Sequence, residues 1–261
     1  MWTERSPMSF LVIAIVLGTA VTSLRNRTLS SSDAPASDGL PAQQECREDV
    51  PPSCAGELPG EPADPEIVLQ AADVCRDVGY LCVGLEPTGS QRLYRWPDTT
   101  GRLRIRIPLP SGETPSRARE LQRAAVRGIQ YWNRKPFELM IDSRSTSSQP
   151  ADITISWGSG LSGSQLGITR IQWSVRAGKH DFTVLGLSLA TRSPSNPRYE
   201  LTAEQVLLTA AHEMGHALGL PHSDSQRDVM YPTNTARSLT SRDFRTLDAL
   251  YGLPNGAEIV R

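Results

Sequence analysis

The chain has 261 residues, enough for one good-sized domain with extensions or for two small domains. Its 27 basic and 28 acidic side chains are interspersed and nearly cancel, leaving a net charge of −1, so nothing points to a nucleic-acid-binding surface. Aromatic residues make up only 6%, while 20 glycines and 20 prolines are consistent with many turns and a linker.

Phe10 to Leu17 is an uninterrupted apolar run, with Arg5 before it and Gly18-Thr19-Ala20 after it. That is the size of a signal-peptide core, with small residues for cleavage after Ala20. Extended from Ser9 to Leu24, it falls slightly short of the roughly 20 residues a spanning helix needs. Residues 1–24 are read as a signal peptide or, uncleaved, as a signal anchor; Arg25 and Arg27 just after the run are awkward for export. Both readings place the rest of the chain outside the cytoplasm, secreted or touching a membrane only through that segment.

All four cysteines, Cys46, Cys54, Cys75 and Cys82, lie in one N-terminal stretch. An even, clustered set in an exported chain reads as two disulfides, with three pairings open. Residues 26–65 carry few large apolar side chains and read as a linker. Glu66 to Val78 shows a modest helical pattern (Ile67, Leu69, Ala71, Ala72, Val74, Val78) after Pro65. Residues 25–90 are thus expected to form a linker and a small disulfide-bonded module.

The main domain is expected over 91–254, opening at Arg92-Leu93-Tyr94-Arg95-Trp96-Pro97. Leu103 to Ile107 alternates apolar and charged residues, the pattern of a half-buried strand. Ser116 to Asn133 reads as a helix with Ala118, Leu121, Ala125, Ile129 and Trp132 on one face, and Ser116 followed by Glu120 as an approximate cap. Phe137 to Ile141 and Asp152 to Trp157 are the next strands. After a Gly/Ser loop at 158–163, Leu166 to Val175 and Asp181 to Ala190 read as a hairpin. A Pro-rich loop spans Ser193 to Arg198, and Thr202 with Gln205 forms a capping box for the following helix. A last helix starts at Leu239-Thr240 and runs through Tyr251, with Phe244, Leu247 and Leu250 on its buried side; 255–261 is a tail.

The helix begun at Thr202 carries His212-Glu213-Met214-Gly215-His216-Ala217-Leu218-Gly219-Leu220-Pro221-His222, the pattern H-E-x-x-H-x-x-G-x-x-H. Residues four apart on a helix lie one turn above each other, so His212 and His216 point the same way. Gly219 can take a left-handed conformation that stops the helix, and Pro221 helps to bring His222 back as a third ligand. Three neutral imidazoles leave one tetrahedral position of a Zn2+ ion open, the arrangement of a catalytic zinc site. Glu213 is placed to act on a water there without being a ligand. Three of the chain's 4 histidines fall in this motif, which weighs against an ordinary polar helix face.

The motif, followed by Met230 in Asp228-Val229-Met230-Tyr231-Pro232, resembles the metzincin zinc endopeptidases with their Met-turn. Ser223 after the third histidine and the Val-Met-Tyr-Pro turn are similar to the matrixin branch, as are Ala151-Asp152-Ile153-Thr154-Ile155 and the Leu-Thr-x-x-Asp…Leu-Tyr-Gly of the last helix. The resemblance extends from about Arg92 to Leu253. It implies an α+β zincin-like domain, a five-stranded mixed sheet with three helices and the zinc in a cleft below the sheet. It also implies that Met230 forms an apolar floor under the histidines and that Tyr231 and Pro232 continue as a pocket wall. Leu166 and Gly167, opening the candidate edge strand, are the expected substrate-binding residues opposite.

On this reading the chain is an exported zinc-dependent endopeptidase, a monomer acting on polypeptides, with Glu213 as general base and one catalytic Zn2+. Matrixins bind structural Ca2+, for which Asp152 and Asp181 are available oxygen donors; no calcium-loop pattern is legible. A second zinc is not expected, since the one spare histidine, His180, falls in a hairpin turn and reads as a solvated loop residue. By the resemblance, residues 25–90 are a propeptide-like segment, standing where matrixins carry a propeptide, but the family's Pro-Arg-Cys-Gly latency motif is missing, and a disulfide-bonded sulfur is no thiolate ligand. A non-proteolytic zinc-binding or adhesion module, or a zinc hydrolase of a non-peptide amide, are the alternatives. The intact Glu213 argues against the first.

Overall fold

The computed structural model describes residues 67–144, 150–176 and 179–261. The apolar run at 10–17, the linker, Cys46 and Cys54 lie outside the described residues. Among the described residues, no helix is long and apolar enough to cross a membrane.

Five strands form a mixed sheet: β3 (Arg102–Arg106), β4 (Glu138–Asp142), β5 (Ile153–Trp157), β6 (Gly167–Arg176) and β7 (Lys179–Leu189), in the order β4-β3-β5-β7-β6. The first four positions run parallel, and β6 closes the row antiparallel to β7, with a register shift at Arg170/Ile171. β6 is therefore an edge strand, as expected for Leu166 to Trp173. The alternation in β3 buries Leu103 and Ile105 and leaves Arg102 and Arg104 in solvent, so the inner face meets the helices.

Two long helices cover that face. α2 (Pro115–Gln130) buries Ala118, Leu121, Ala125 and Ile129, the face its periodicity indicates. Its cap is Thr114, whose Oγ1 accepts the Arg117 N–H, and not Ser116. Pro115 occupies the first helical position, where its missing N–H costs nothing and its fixed φ suits the helix. α3 (Ala203–Ala217) starts at the Thr202–Gln205 capping box and packs against α2 at Gly128, where a Cβ would lie 2.1 Å from the Leu207 carbonyl oxygen. Trp132, fully buried just past α2, donates its Nε1–H to the Ala211 carbonyl at 2.7 Å and so sets the position of α3 beneath the sheet. The third helix, α4 (Ser241–Gly252), is capped by Thr240 and Asp243, and α+β is the fold class.

Other parts depart from expectation. Within the expected helix Glu66 to Val78, the described residues from 67 on are not one helix: β1 (Val68–Gln70) precedes a single turn, α1 (Ala71–Val74). The expected tail at 255–261 ends in β10 (Glu258–Val260), which lies between β1, parallel, and β2 (Ser90–Arg92), antiparallel. Backbone pairing across the whole chain outweighs the weak local helical pattern. Residues 67–90 are thus joined to the main body. Cys75 and Cys82 form one disulfide, and Tyr80 between them is fully buried, its hydroxyl donating to Asp243 Oδ1 at 3.0 Å and its N–H to Thr246 Oγ1 at 3.0 Å. The Pro-rich loop is a small hairpin, β8 (Arg192–Ser193) with β9 (Asn196–Glu200); Pro197 is tolerated because β9 is an exposed edge. His180 lies in β7 and not in the turn. Its ring packs where a Cβ on Gly256 would come within 2.2 Å, and its carbonyl accepts from Asn255 Nδ2, because the C-terminal segment folds back over it.

Candidate metal centre

The C-terminal end of α3 is buried from Val206 onward on most of its circumference, so the polar side chains there face protein rather than water. His212 and His216, one turn apart, present their rings at 82° with centroids 4.8 Å apart. The helix then stops in a Schellman arrangement: the Leu220 N–H reaches the Gly215 carbonyl at 3.0 Å and the Gly219 N–H reaches that of His216 at 2.9 Å. Gly219 takes φ +95°, and a Cβ there would lie 2.4 Å from the Tyr94 carbonyl oxygen, so only glycine fits the turn. The return brings the His222 ring over the other two, at centroid distances of 5.3 Å and 4.7 Å.

The three Nε2 atoms converge. His216 Nε2 lies 3.1 Å from His212 Nε2 and 3.2 Å from His222 Nε2. His212 Nδ1 is 2.7 Å from the Val229 carbonyl and His216 Nδ1 is 2.9 Å from that of Leu220, so each Nδ1 carries the proton and donates it. Both Nε2 atoms therefore bear lone pairs. Two lone pairs facing each other at this distance repel unless a cation lies between them. The spacing fits a tetrahedral Zn2+, whose Zn–N bonds of about 2.0–2.1 Å put neighbouring nitrogens about 3.3–3.4 Å apart. Burial keeps the rings neutral: it pushes His212 down to about 4 against its bond to Val229, and pushes His216 well down with help from the neighbouring imidazoles. His222 is lowered by burial too. Among the described residues, this is the only group of three or more His, Cys, Asp or Glu side chains placed to share an ion.

Glu213 is fully buried one position beyond His212. Its Oε2 accepts the Thr169 hydroxyl at 2.8 Å, whereas Oε1 is buried with no partner among the described residues. Burial pushes the carboxyl up to about 8, against the Thr169 hydrogen bond. Such a group favours a nearby cation and can accept and release a proton near neutral pH. Edge strand β6 presses on it from above: a Cβ on Gly167 would sit 2.6 Å from Glu213 Cγ and 2.7 Å from Oε1.

The matrixin family, peptidase M10, matches residues 109–252, more than half of the chain. This chain is a matrixin. Macrophage metalloelastase of Rattus norvegicus is 44% identical over 55 residues, 19% of this chain and 12% of the relative. Matrilysin of Felis catus is 47% identical over 51 residues, 18% of this chain and 20% of the relative. Matrix metalloproteinase-26 of Homo sapiens is 41% identical over 56 residues, 20% of this chain and 22% of the relative. The chain thus spans less than a quarter of the length of these curated relatives.

In this matrixin Met230 is fully buried, and its Sδ lies where a Cβ on Gly215 would be 2.2 Å away, directly against the histidine helix. The turn around it is tied down by Asp228, which accepts from Ser223, Thr240 and Arg242. Leu166 is buried, and Tyr231 and Pro232 are half-buried. A cavity of about 290 Å³ reaches His216 and is lined by residues of β6, of 81–94 and of the turn after α3; Leu166, Gly167, Tyr231 and Pro232 are not among them. Asp152 Oδ2 accepts the Arg104 N–H at 2.7 Å, and Asp181 stands on β7, so the two suggested calcium donors are on different elements.

Sequence reasoning missed Thr169, 44 residues from the carboxylate it holds, and the carbonyls of Val229 and Leu220 that fix the two tautomers. Thr169 shares the strand alternation with Ile171 and Trp173, so its facing the helices was readable, but its partner was not. Tyr80 was also missed. Its carboxylate partner, Asp243, accepts the Val229 N–H at 3.2 Å, and the Val229 carbonyl holds His212.

Proposed function

We propose that this chain is an exported zinc-dependent endopeptidase in which His212, His216 and His222 hold one Zn2+ and Glu213 is the general base. The observation that carries the reading is the convergence of three Nε2 atoms beside a buried carboxylate with one oxygen that has no partner among the described residues. Membership of the matrixins supports it, as do relatives whose names describe a metalloelastase and a metalloproteinase.

When bound, zinc supplies Lewis acidity, making water at the site a nucleophile near neutral pH and polarising a carbonyl. Everything else falls to the chain's own residues. The Val229 and Leu220 carbonyls keep the Nδ1 protons in place, so that the Nε2 atoms stay available. Glu213 takes a proton on Oε1 as water attacks the peptide carbon and passes it to the departing amine nitrogen. Thr169 anchors Oε2, so that Oε1 stays aimed at the site. An extended polypeptide pairs with the free edge of β6, which presents its scissile bond to these groups.

The apolar run at 10–17 and the Cys75–Cys82 disulfide support export with signal cleavage after Ala20, and the matrixin unit is taken as 91–254. The test is Glu213→Ala, assayed for zinc content and for cleavage of a quenched-fluorescence peptide. Retained zinc with turnover lower by about 100-fold or more is expected; wild-type turnover would remove the general-base role.

A further inference from the structure

Residues 67–92 stand where matrixins carry a propeptide, yet both ends of the segment are paired into the molecule. At its start the Ile67 carbonyl accepts the Glu258 N–H at 2.8 Å and β1 runs beside β10; at its end β2 takes the other edge of β10. The pairing continues past the segment, where the Leu93 N–H reaches the Ala257 carbonyl and the Gly256 N–H reaches the Leu93 carbonyl, each at 2.8 Å. Arg92 adds an ion pair to Glu258 at 2.6 Å. Removing 67–92 would strip β10 of both its strand partners.

The middle of the segment grips α4. Gly79, at φ +69°, lies so close that a Cβ would meet Thr246 Oγ1 at 2.0 Å, and its carbonyl accepts from Arg242 Nη2 at 3.4 Å. Tyr80, fully buried, donates its N–H to Thr246 and its hydroxyl to Asp243, and the Arg242 guanidinium lies over its ring at 5.5 Å. All these contacts fall between Cys75 and Cys82, whose bridge closes the loop that carries them. The loop has little regular structure of its own: α1 is a single turn with no buried residue, and Asp77 sits at φ +56°, which a side chain rarely adopts. The bridge therefore holds its shape. Both cysteines are only half-buried, within reach of a small reductant.

We infer that residues 67–92 are a permanent clamp on the C-terminal helix and strand, and that Cys75–Cys82 is its redox-sensitive latch. A maturing cut spares the clamp. Opening the latch is a two-electron step: a dithiol is oxidised to its own disulfide, its two hydrogens pass to the sulfurs of Cys75 and Cys82, and the bond between those sulfurs breaks. The freed loop lets go of α4, while His212, His216 and His222 are held from within α3 and its exit. The device lies outside the metal centre, holds in an oxidising compartment and is released in a reducing one. It does not depend on the endopeptidase reading.

The full chain, zinc-loaded, is compared by hydrogen–deuterium exchange with and without a phosphine reductant, which takes the oxygen of a water whose hydrogens go to the sulfurs and adds no thiol to compete for zinc. On reduction, exchange in 242–252 and 258–260 should rise about tenfold or more, while 203–217 keep their protection. The same rise should appear without reductant in Cys75→Ser/Cys82→Ser, and on reduction in Cys46→Ser/Cys54→Ser, which assigns it to this bridge. Unchanged exchange in the C-terminal helix and strand after full reduction, or an equal rise in α3, would overturn the latch. For the clamp, a site for a sequence-specific protease is inserted between the exposed Pro87 and Thr88 and cut. The two pieces should elute together in gel filtration, with no gain in peptide cleavage. Release of the N-terminal piece, or a gain in activity on cutting, would overturn the clamp. A wild-type chain that cuts no peptide would overturn the endopeptidase reading alone, because exchange and elution need no turnover.

Discussion

Helix α3 and the loop after it bring three imidazoles together using bonds that stay close in sequence: the capping box, the Schellman turn, and Nδ1 bonds to Leu220 and Val229. Residues 67–92 reach their place by the opposite route. Tyr80 depends on Asp243 and Thr246, separated from it by 163 and 166 residues, and β1 and β2 depend on the last strand of the chain. Under the proposed function, the first region fixes which atoms react. The second fixes what lies beside them and how firmly the C-terminal helix is held. Changes in the two should therefore separate, with loss of chemistry in one and loss of stability or selectivity in the other.

Gly167→Ala strains that separation most. It lies outside α3, yet its Cβ would intrude on Glu213 at 2.6–2.7 Å. With zinc content unchanged, kcat should fall by about 10- to 100-fold, because the carboxylate is displaced from the reacting water. Equal activity would mean that Glu213 is held less tightly than its neighbours imply. Tyr80→Phe probes the other region. It leaves buried Asp243 short of one donor, so melting should report a loss of about 1–3 kcal/mol while peptide cleavage at 25 °C persists. A collapse of zinc content in that variant would show that the link through Asp243, Val229 and His212 carries more than stability.

The smallest effect concerns pH. In zinc-free protein the buried imidazoles have folded pKa values below their ordinary 6.5, so the unfolded chain binds more protons and stability falls as pH drops from about 6.5 towards 4. Glu213 acts in the reverse sense. Its folded pKa is raised from 4.5 to about 8, so the stability it contributes below 4.5 is lost as pH rises through about 8. Thermal melting in chelator should peak near about pH 6 and decline on both sides. Added zinc should raise the whole curve and flatten its alkaline side, because the cation favours the Glu213 carboxylate.

The same contrast explains what could be read from the residues alone. His212, His216, Gly219 and the Thr202–Gln205 cap lie within one helix and its exit, where spacing dictates geometry, and the strands of the main sheet follow from period-two alternation. β10 is three residues long and gains its identity only from β1 and β2, so nothing local marks it. Thr169 and Tyr80 have unremarkable neighbours in sequence, and their roles arise from packing across 44 and 163 residues. The cavity beside His216 is likewise assembled from distant pieces, so no short stretch of sequence marks it.

The central claim is that one zinc ion held by His212, His216 and His222 makes this chain a peptidase. It is tested most directly by stripping the full chain with a chelator, adding zinc back in measured portions, and following cleavage of a quenched-fluorescence peptide. Activity should vanish on stripping and return in proportion to zinc, levelling off at one ion per chain. Cleavage that survives stripping, or none at one bound zinc per chain, would contradict it.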